Sequence, residues 1–335
     1  MIQLPLLSVQ HLTGKMGDNN AVNNISFYLN EGEKLAITGE TGSGKTTLLK
    51  MLAGFLQPLQ GKILFRGEKV KGPDEQLIAG HPRIAYLSQY FELRNNYYVR
   101  DYLEMAVTVS KEKADLIYQV CRITHLLDRR TNALSGGERQ RTALARLLTT
   151  APSILLLDEP FSHLDFSHKE VIRQVLTDVK KEFETSFIMI SHDATDLLSW
   201  ADRILIMKDG MLKTEGAPKV LFYQPPDSYS AGLMGPYSIV SDKLAKRIHL
   251  FLPDSGNLFY CVRPGQIKIT ENASFPEALI DKIVFFGNYH LISLTCEDES
   301  LQMTTLSTEY KVGQRVRICM REGMSLQPVG NHFYH

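Results

Sequence analysis

The stretch Gly39-Glu40-Thr41-Gly42-Ser43-Gly44-Lys45-Thr46 constrains this chain more than any other. It fits the pattern G-x-x-x-x-G-K-[ST]. The run Lys34-Leu35-Ala36-Ile37-Thr38 before it reads as a strand, and Thr47 to Ala53 after it as a helix closed by Gly54. A phosphate-binding loop needs that context of strand, tight glycine turn and helix N-terminus. The glycines let backbone N–H groups turn inward around oxygens without Cβ clashes. The helix start adds unpaired donors and a positive dipole end. In such a loop Lys45 reaches the outer phosphates and the Thr46 hydroxyl holds Mg2+, with Thr47 beside them.

The chain has 335 residues, which suggests about two domains. Lysine plus arginine and aspartate plus glutamate both number 37, so nothing global recommends nucleic acid or an anionic membrane surface as partner. Cys121, Cys261, Cys296 and Cys319 form no C-x-x-C pair, so no zinc or redox motif is expected. Scattered thiols of this kind suit a reducing compartment. The first residues lack a basic region followed by an apolar core, so no signal peptide is expected. No apolar run approaches the roughly 20 residues that a spanning helix needs.

In order, Leu6 to Leu12 and Ile25 to Leu29 read as strands, with Gly14 to Asn20 as a polar turn between them. Lys62 to Phe65 and Arg83 to Ser88 read as further strands, and the second ends at Gln89. A helical pattern runs from Val99 to about Leu127, and another helix runs from the Ser135 region through Leu148. Ile154 to Leu157 is an apolar run ending in Asp158-Glu159, as a strand buried on both faces does when its C-terminal end opens into a site. Ser167 and Glu170 give a capping-box signal for a helix through Phe183. Ser186 to Ile190 is the next buried strand, ending at Ser191-His192-Asp193. Asp209-Gly210 predicts a hairpin turn. Alternating buried strands and helices over 34–207 argue for a largely parallel sheet in an α/β domain. From 237 to 327 short, evenly spaced strands suggest a small β barrel, with the domain boundary near residue 236.

A phosphate loop alone says only "nucleotide". Asp158 suits a Mg2+ contact, and Glu159 can accept a proton from, or orient, a water attacking a phosphate. An isolated Asp-Glu pair would be an ordinary strand-end feature; behind four apolar residues and a phosphate loop it becomes a candidate site. Ser135, Gly136 and Gly137, just before a helix, offer a hydroxyl and free N–H groups to an anion.

Leu134-Ser135-Gly136-Gly137-Glu138-Arg139-Gln140 resembles the signature motif of ATP-binding-cassette (ABC) ATPases, in the family's position between the phosphate loop and the Asp158-Glu159 strand. The resemblance implies a P-loop ABC-ATPase domain over residues 1–235, with a parallel-sheet core, an antiparallel β subdomain and a helical subdomain. It implies that Ser135, Gly136, Gly137 and Glu138 grip the γ-phosphate held by Gly39–Thr46 and Thr47 of a second copy or of a paralogue. Two ATPs are then sandwiched in a head-to-tail dimer. Gln89 resembles the Q-loop glutamine, which contacts Mg2+ and the attacking water. His192 resembles the switch histidine. Glu159 takes the place of the catalytic carboxylate, and Thr46, Gln89 and Asp158 that of the Mg2+ contacts. Ser162-His163-Leu164-Asp165 resembles the D-loop, with His163 where the family has a small residue or asparagine. Met16 stands where an aromatic side chain usually stacks on adenine, which implies weaker base discrimination.

Residues 236–335 resemble the C-terminal, oligonucleotide-binding-like "transport-associated" (TOBE) regulatory domain of importer ATPases. Cys261-Val262-Arg263-Pro264-Gly265-Gln266-Ile267, Phe285-Phe286-Gly287 and Val312-Gly313-Gln314-Arg315-Val316 carry that resemblance. The implied protein is the ATPase of an importer for ferric iron, polyamines, sulfate, molybdate or sugars. It would work peripherally on the cytoplasmic face of the inner (plasma) membrane, with integral membrane permease subunits and a substrate-binding protein as partners. The family docks its membrane subunits on the segment after Gln89, where Tyr90, Phe91, Tyr97 and Tyr98 stand. The alternative is a soluble ABC-type ATPase of translation or DNA repair. Those carry two cassettes or a long coiled-coil insertion, whereas this chain has one phosphate loop and no heptad run, and its neutral charge points away from nucleic acid. A GTPase reading lacks an Asn-Lys-x-Asp segment.

Overall fold

In the computed structural model, residues 4–17, 19–91, 93–162, 164–249, 259–324 and 326–329 are described. The chain divides into two units, Met1–Glu215 and Gly216–His335.

The first unit runs β1 (Leu7–Met16), β2 (Asn19–Leu29), β3 (Lys34–Thr38), α1 (Lys45–Leu52), β4 (Gln60–Phe65), β5 (Glu68–Lys69), β6 (Ile84–Leu87), α2 (Val99–Glu104), α3 (Lys111–Val120), α4 (Gly136–Leu148), β7 (Ile154–Asp158), α5 (Phe166–Phe183), β8 (Ser186–Ile190), α6 (Ala194–Trp200), β9 (Arg203–Lys208) and β10 (Met211–Gly216). Its larger sheet has the order β10-β9-β3-β8-β7-β6, parallel from β9 to β6. Every residue of β7 and β8 is buried, because both faces of the sheet are covered. Alternation divides these strands between two cores. Ile154, Leu156, Ile188 and Ile190 pack with α1 and with the antiparallel sheet β2-β1-β4-β5. Leu155, Leu157, Phe187 and Met189 pack with α3, α4 and α5. Each such side chain contributes roughly 1.5–3 kcal/mol of burial. At the sheet edge, Asp209 and Gly210 turn β9 into β10, both with positive φ, as the Asp-Gly pair predicts.

Three local expectations change. The turn placed at Gly14 to Asn20 is narrower, because β1 continues to Met16 and β2 begins at Asn19, with Gly14 paired to Val22. The helical pattern over 99–127 breaks into α2 and α3, with Ser110 accepting from the Lys113 N–H to start α3. The cap of α5 is Asp165 rather than Ser167: Asp165 accepts from the His168 N–H at 2.9 Å, and the Ser167 hydroxyl donates to Asp165 instead. A carboxylate two residues earlier reaches the first-turn donors, so the helix starts there.

The second unit holds α7 (Pro218–Tyr223), α8 (Ser228–Leu233), β11 (Ser238–Ser241), α9 (Asp242–Ile248), β12 (Phe259–Val262), β13 (Ile267–Thr270), β14 (Glu277–Phe285), β15 (His290–Cys296), β16 (Glu299–Thr305), β17 (Arg315–Met320) and β18 (Gln327–Val329). Its sheets are β11-β12-β18 and β13-β17-β14-β15-β16, around a core of its own that includes Leu244, Tyr260, Ile280, Leu294 and Ile318. Among the described residues the short helices α7, α8 and α9 stand beside the strands, the last capped by Ser241. The division between the units falls about twenty residues before the expected boundary. The buried Arg263 explains this. Its Nε donates to the Phe222 carbonyl at 2.8 Å, and its Nη1 to those of Ala231, Gly235 and Pro236 at 3.1, 2.8 and 3.1 Å. Residues 216–236 are thereby tied to the turn after β12 that carries Arg263. All four cysteines are buried free thiols.

Candidate nucleotide site

The loop expected to hold phosphate lies between β3 and α1. A Cβ on Gly39 would stand 2.1 Å from the Met207 carbonyl oxygen, and one on Gly44 1.8 Å from that of Ala21, so the loop folds this tightly only with glycine at both positions. Gly44 is the N-cap of α1 in the left-handed region, and no side chain caps the helix. Its first turn therefore presents backbone donors and the positive dipole end to the loop's concavity. The Lys45 ammonium curls into the same loop and donates to the carbonyls of Gly39 (2.8 Å) and Glu40 (2.7 Å) and to the Ser43 hydroxyl (3.2 Å). Burial pushes the lysine below its ordinary range, while the carboxylates of Glu159, Asp158 and Glu40 oppose that shift. A cation held only by neutral oxygens beside an uncapped helix start fits a phosphate group. Glu40, Thr41 and Gly42 form the exposed rim, and Ser43 and Thr47 are buried.

Asp158 ends β7, 4% exposed. Its two oxygens are held separately: the Thr46 hydroxyl donates to Oδ1 at 3.3 Å and the Tyr86 hydroxyl to Oδ2 at 2.8 Å. Burial pushes this carboxyl up, and the bonds from Tyr86 and Thr46 pull it back. The same burial, with Asp158 beside it, pushes the Tyr86 hydroxyl well up, so the tyrosine remains a donor. Thr46 and Asp158 together offer hard oxygen ligands at the start of α1, a donor chemistry that suits Mg2+ shared with a phosphate.

Glu159 leaves the strand with φ +50. Its N–H donates to the Ile190 carbonyl at 3.1 Å, and its own carbonyl accepts from the Ser162 N–H at 3.1 Å and the Ser162 hydroxyl at 2.8 Å. That anchored turn swings the side chain out of the sheet. Gln89 Nε2 then donates to Glu159 Oε2 at 3.2 Å, and His192 Nδ1 lies 3.4 Å from Oε1. These residues line a cleft of about 310 Å³ together with Phe161, Ser162 and Ser191. On the same cleft, the buried Asp196 pairs with Arg173 and lies 3.8 Å from the Lys169 ammonium, and Lys169 also bridges to Asp193 at 3.3 Å.

Ser135–Glu138 form a separate group at the start of α4. Ser135 caps the helix in a reciprocal capping box: the Glu138 N–H donates to the Ser135 hydroxyl at 3.4 Å, and the Ser135 N–H donates to the Glu138 carboxylate at 2.8 Å. Gly136 faces open space, whereas a Cβ on Gly137 would meet the His168 ring at 2.9 Å. Asp165, capping α5, has its carboxyl pulled down to about 2, chiefly by the His168 N–H and then by the Ser167 hydroxyl and the His168 ring. His163 lies outside the described residues, and so does the side chain of Met16.

Sequence reasoning thus reaches most of the residues that the fold gathers around Lys45 and Glu159. It misses Tyr86 and the Lys169–Arg173–Asp196 cluster. The available signal for Tyr86 was a hydroxyl in an otherwise apolar strand, three residues before Gln89. Among the described residues no helix is long and apolar enough to cross a membrane.

Residues 22–162 match the family described as "ABC transporter". The "Fe(3+) ions import ATP-binding protein FbpC 2" of Pectobacterium atrosepticum is 30% identical over 335 residues, spanning 93% of this chain and 97% of that protein. The "Spermidine/putrescine import ATP-binding protein PotA" of Mycoplasma mycoides is 29% identical over 345 residues, spanning 93% and 94%. Among solved structures, cbiO1 from Clostridium perfringens, described as part of the ABC transporter complex cbiONQ, superposes with a TM-score of 0.60 at 27% identity, covering 66% of this chain and 92% of that one. The ATP-binding cassette MJ0796, a dimer bound to ADP and Pi, superposes with a TM-score of 0.55 at 27% identity, covering 63% and 98%. With a phosphate loop, paired carboxylates and a signature segment arranged on this fold, the chain belongs to the ABC transporter family as one of its ATP-binding, ATP-hydrolysing subunits.

Proposed function

We propose that this chain powers an importer, as a head-to-tail dimer of two copies or of a copy and a paralogue. The observation that carries the proposal is the Glu159 carboxylate held between Gln89 and His192 at the mouth of the loop that contains Lys45. In this reading Gly39 to Thr47 cradle the phosphates of ATP, and Lys45 turns from the loop carbonyls to the outer phosphates. Thr46, Asp158 and Gln89 hold Mg2+, which when bound neutralises charge on the phosphates. Glu159 accepts the proton of the attacking water, Gln89 orients that water, and His192 donates toward the γ-phosphate. Ser135, Gly136, Gly137 and Glu138 close on the nucleotide of the opposite copy, Asp165 lies at the seam between copies, and Met16 is the sequence position assigned to the base.

Import is favoured by near full-length likeness to proteins named as import ATP-binding proteins for Fe(3+) and for spermidine/putrescine. The partners are then integral membrane permease subunits and a substrate-binding protein, and the chain works peripherally on the cytoplasmic face of the plasma membrane. No nucleic acid takes part. Within residues 1–235 the first unit acts as the ATPase domain, and within the second unit residues 236–335 act as a TOBE-like regulatory domain.

Glu159→Gln tests the chemistry. The variant is expected to bind ATP, accumulate as a stable dimer and lose roughly 10²–10⁴-fold in turnover. Turnover like that of the unaltered protein refutes the assignment of the base. Co-purification tests the setting: a membrane-embedded partner supports transport, and a ribosome or DNA partner refutes it.

A further inference from the structure

The two carboxylates at the end of β7 are held by one neighbouring strand and by the turn that follows it. β6 is the edge strand of the parallel sheet and pairs with β7 in register, Tyr86 beside Leu156 and Leu87 beside Leu157. Side chains alternate across a strand, so Ile84 and Tyr86 lie on the same face as Ile154, Leu156 and Asp158, which is the face that α1 covers. Tyr86 also meets Phe55, just beyond α1, edge-on at 6.0 Å between ring centres. The phenol is thus fixed at its ring, with its hydroxyl 2.8 Å from Asp158 Oδ2. The other oxygen, Oδ1, faces the Thr46 hydroxyl at 3.3 Å. Three residues further along, Gln89 reaches Glu159.

We infer that Tyr86 is a positioning residue for the metal-nucleotide site: its hydroxyl holds Oδ2 of Asp158 so that the carboxylate's free edge stays turned toward Thr46 and the bound Mg2+. The inference rests on the reading of Asp158 and Thr46 as Mg2+ contacts. A carboxylate with one oxygen anchored in this way loses little freedom on meeting a cation. One without the anchor must be ordered first, with a buried oxygen left short of a donor. Outer partners of metal-bound carboxylates typically change metal affinity by roughly 10–100-fold. Lys45, Glu159 and Thr46 touch nucleotide or water in this reading; Tyr86 acts only through Asp158.

Tyr86→Phe removes a single oxygen and keeps the ring packed on Phe55, so the fold is expected to survive. The measurement is equilibrium binding of a fluorescent ATP analogue as Mg2+ is titrated, repeated in EDTA, for the unaltered chain, Tyr86→Phe and Asp158→Asn. Tyr86→Phe is expected to raise the half-saturating Mg2+ concentration roughly tenfold, to leave nucleotide affinity in EDTA unchanged, and to melt within a few degrees of the unaltered chain. A residue that merely packs would not separate the two affinities. If Asp158→Asn shifts the Mg2+ titration and Tyr86→Phe does not, the role of Tyr86 is overturned while that of Asp158 stands. If Asp158→Asn leaves the titration in place, the reading of the Mg2+ site fails, and the inference fails with it.

Discussion

Replacing Gly44 by alanine tests whether close packing, rather than backbone freedom alone, dictates the phosphate loop. Gly44 has φ +93, and so has a neighbour in nearly the same state, Gly42 with φ +87. Their surroundings differ. A Cβ at 42 meets nothing within 4 Å, whereas one at 44 lies 1.8 Å from the Ala21 carbonyl oxygen, on the strand beside the loop. Alanine in the left-handed region costs about 1–2 kcal/mol at either site. At 44 the overlap adds a shift of strand or loop, on the order of 1–3 kcal/mol more. The expected losses are therefore about 1–2 kcal/mol for Gly42→Ala and about 2–5 kcal/mol for Gly44→Ala. With roughly 2–4 °C lost per kcal/mol in a unit of this size, the gap between the two variants spans about 2–12 °C. Thermal melting without nucleotide reads this directly, since a bound phosphate would press on either new methyl group. Equal melting temperatures for the two variants would refute the packing argument.

Two further outcomes follow from the geometry. The Asp165 carboxyl is held at about 2, below its ordinary 3.8, so its cap on α5 is fully present above about pH 4 and is lost as pH falls through about 2; Asp165→Asn keeps an acceptor but should flatten that part of the acid limb, as read by melting between pH 4 and pH 2. Arg263→Met strands the carbonyls of Phe222, Ala231, Gly235 and Pro236 at a site 2% exposed. We expect a loss of about 2–4 kcal/mol and rapid proteolysis between residues 216 and 237, and unchanged protection of that segment would refute the role of Arg263.

The sequence by itself determined the phosphate loop, the buried strands and the order of the motifs, because these are local. A run of glycines between an apolar strand and a helix announces a tight turn, because only glycine takes its backbone angles freely. A run such as Ile154 to Leu157 must be covered on both faces. Gln89 and His192 were reached through the resemblance, each standing two residues past a buried strand in the family's order. Other features depended on partners distant in the chain. The capping signal at Ser167 and Glu170 lost to Asp165, which stood in reach of the first-turn donors. The division between units falls at residue 216, where one buried arginine, in the turn after β12, collects carbonyls of α7, of α8 and of Gly235 and Pro236. Tyr86 was an apolar-looking strand residue until the register of β6 on β7 set its hydroxyl against Asp158, a residue 72 positions away. Local patterns fix which elements form and where a site opens. Only pairing register and packing decide which distant side chains share a hydrogen bond, because one residue of slip would turn Tyr86 to the opposite face of the sheet.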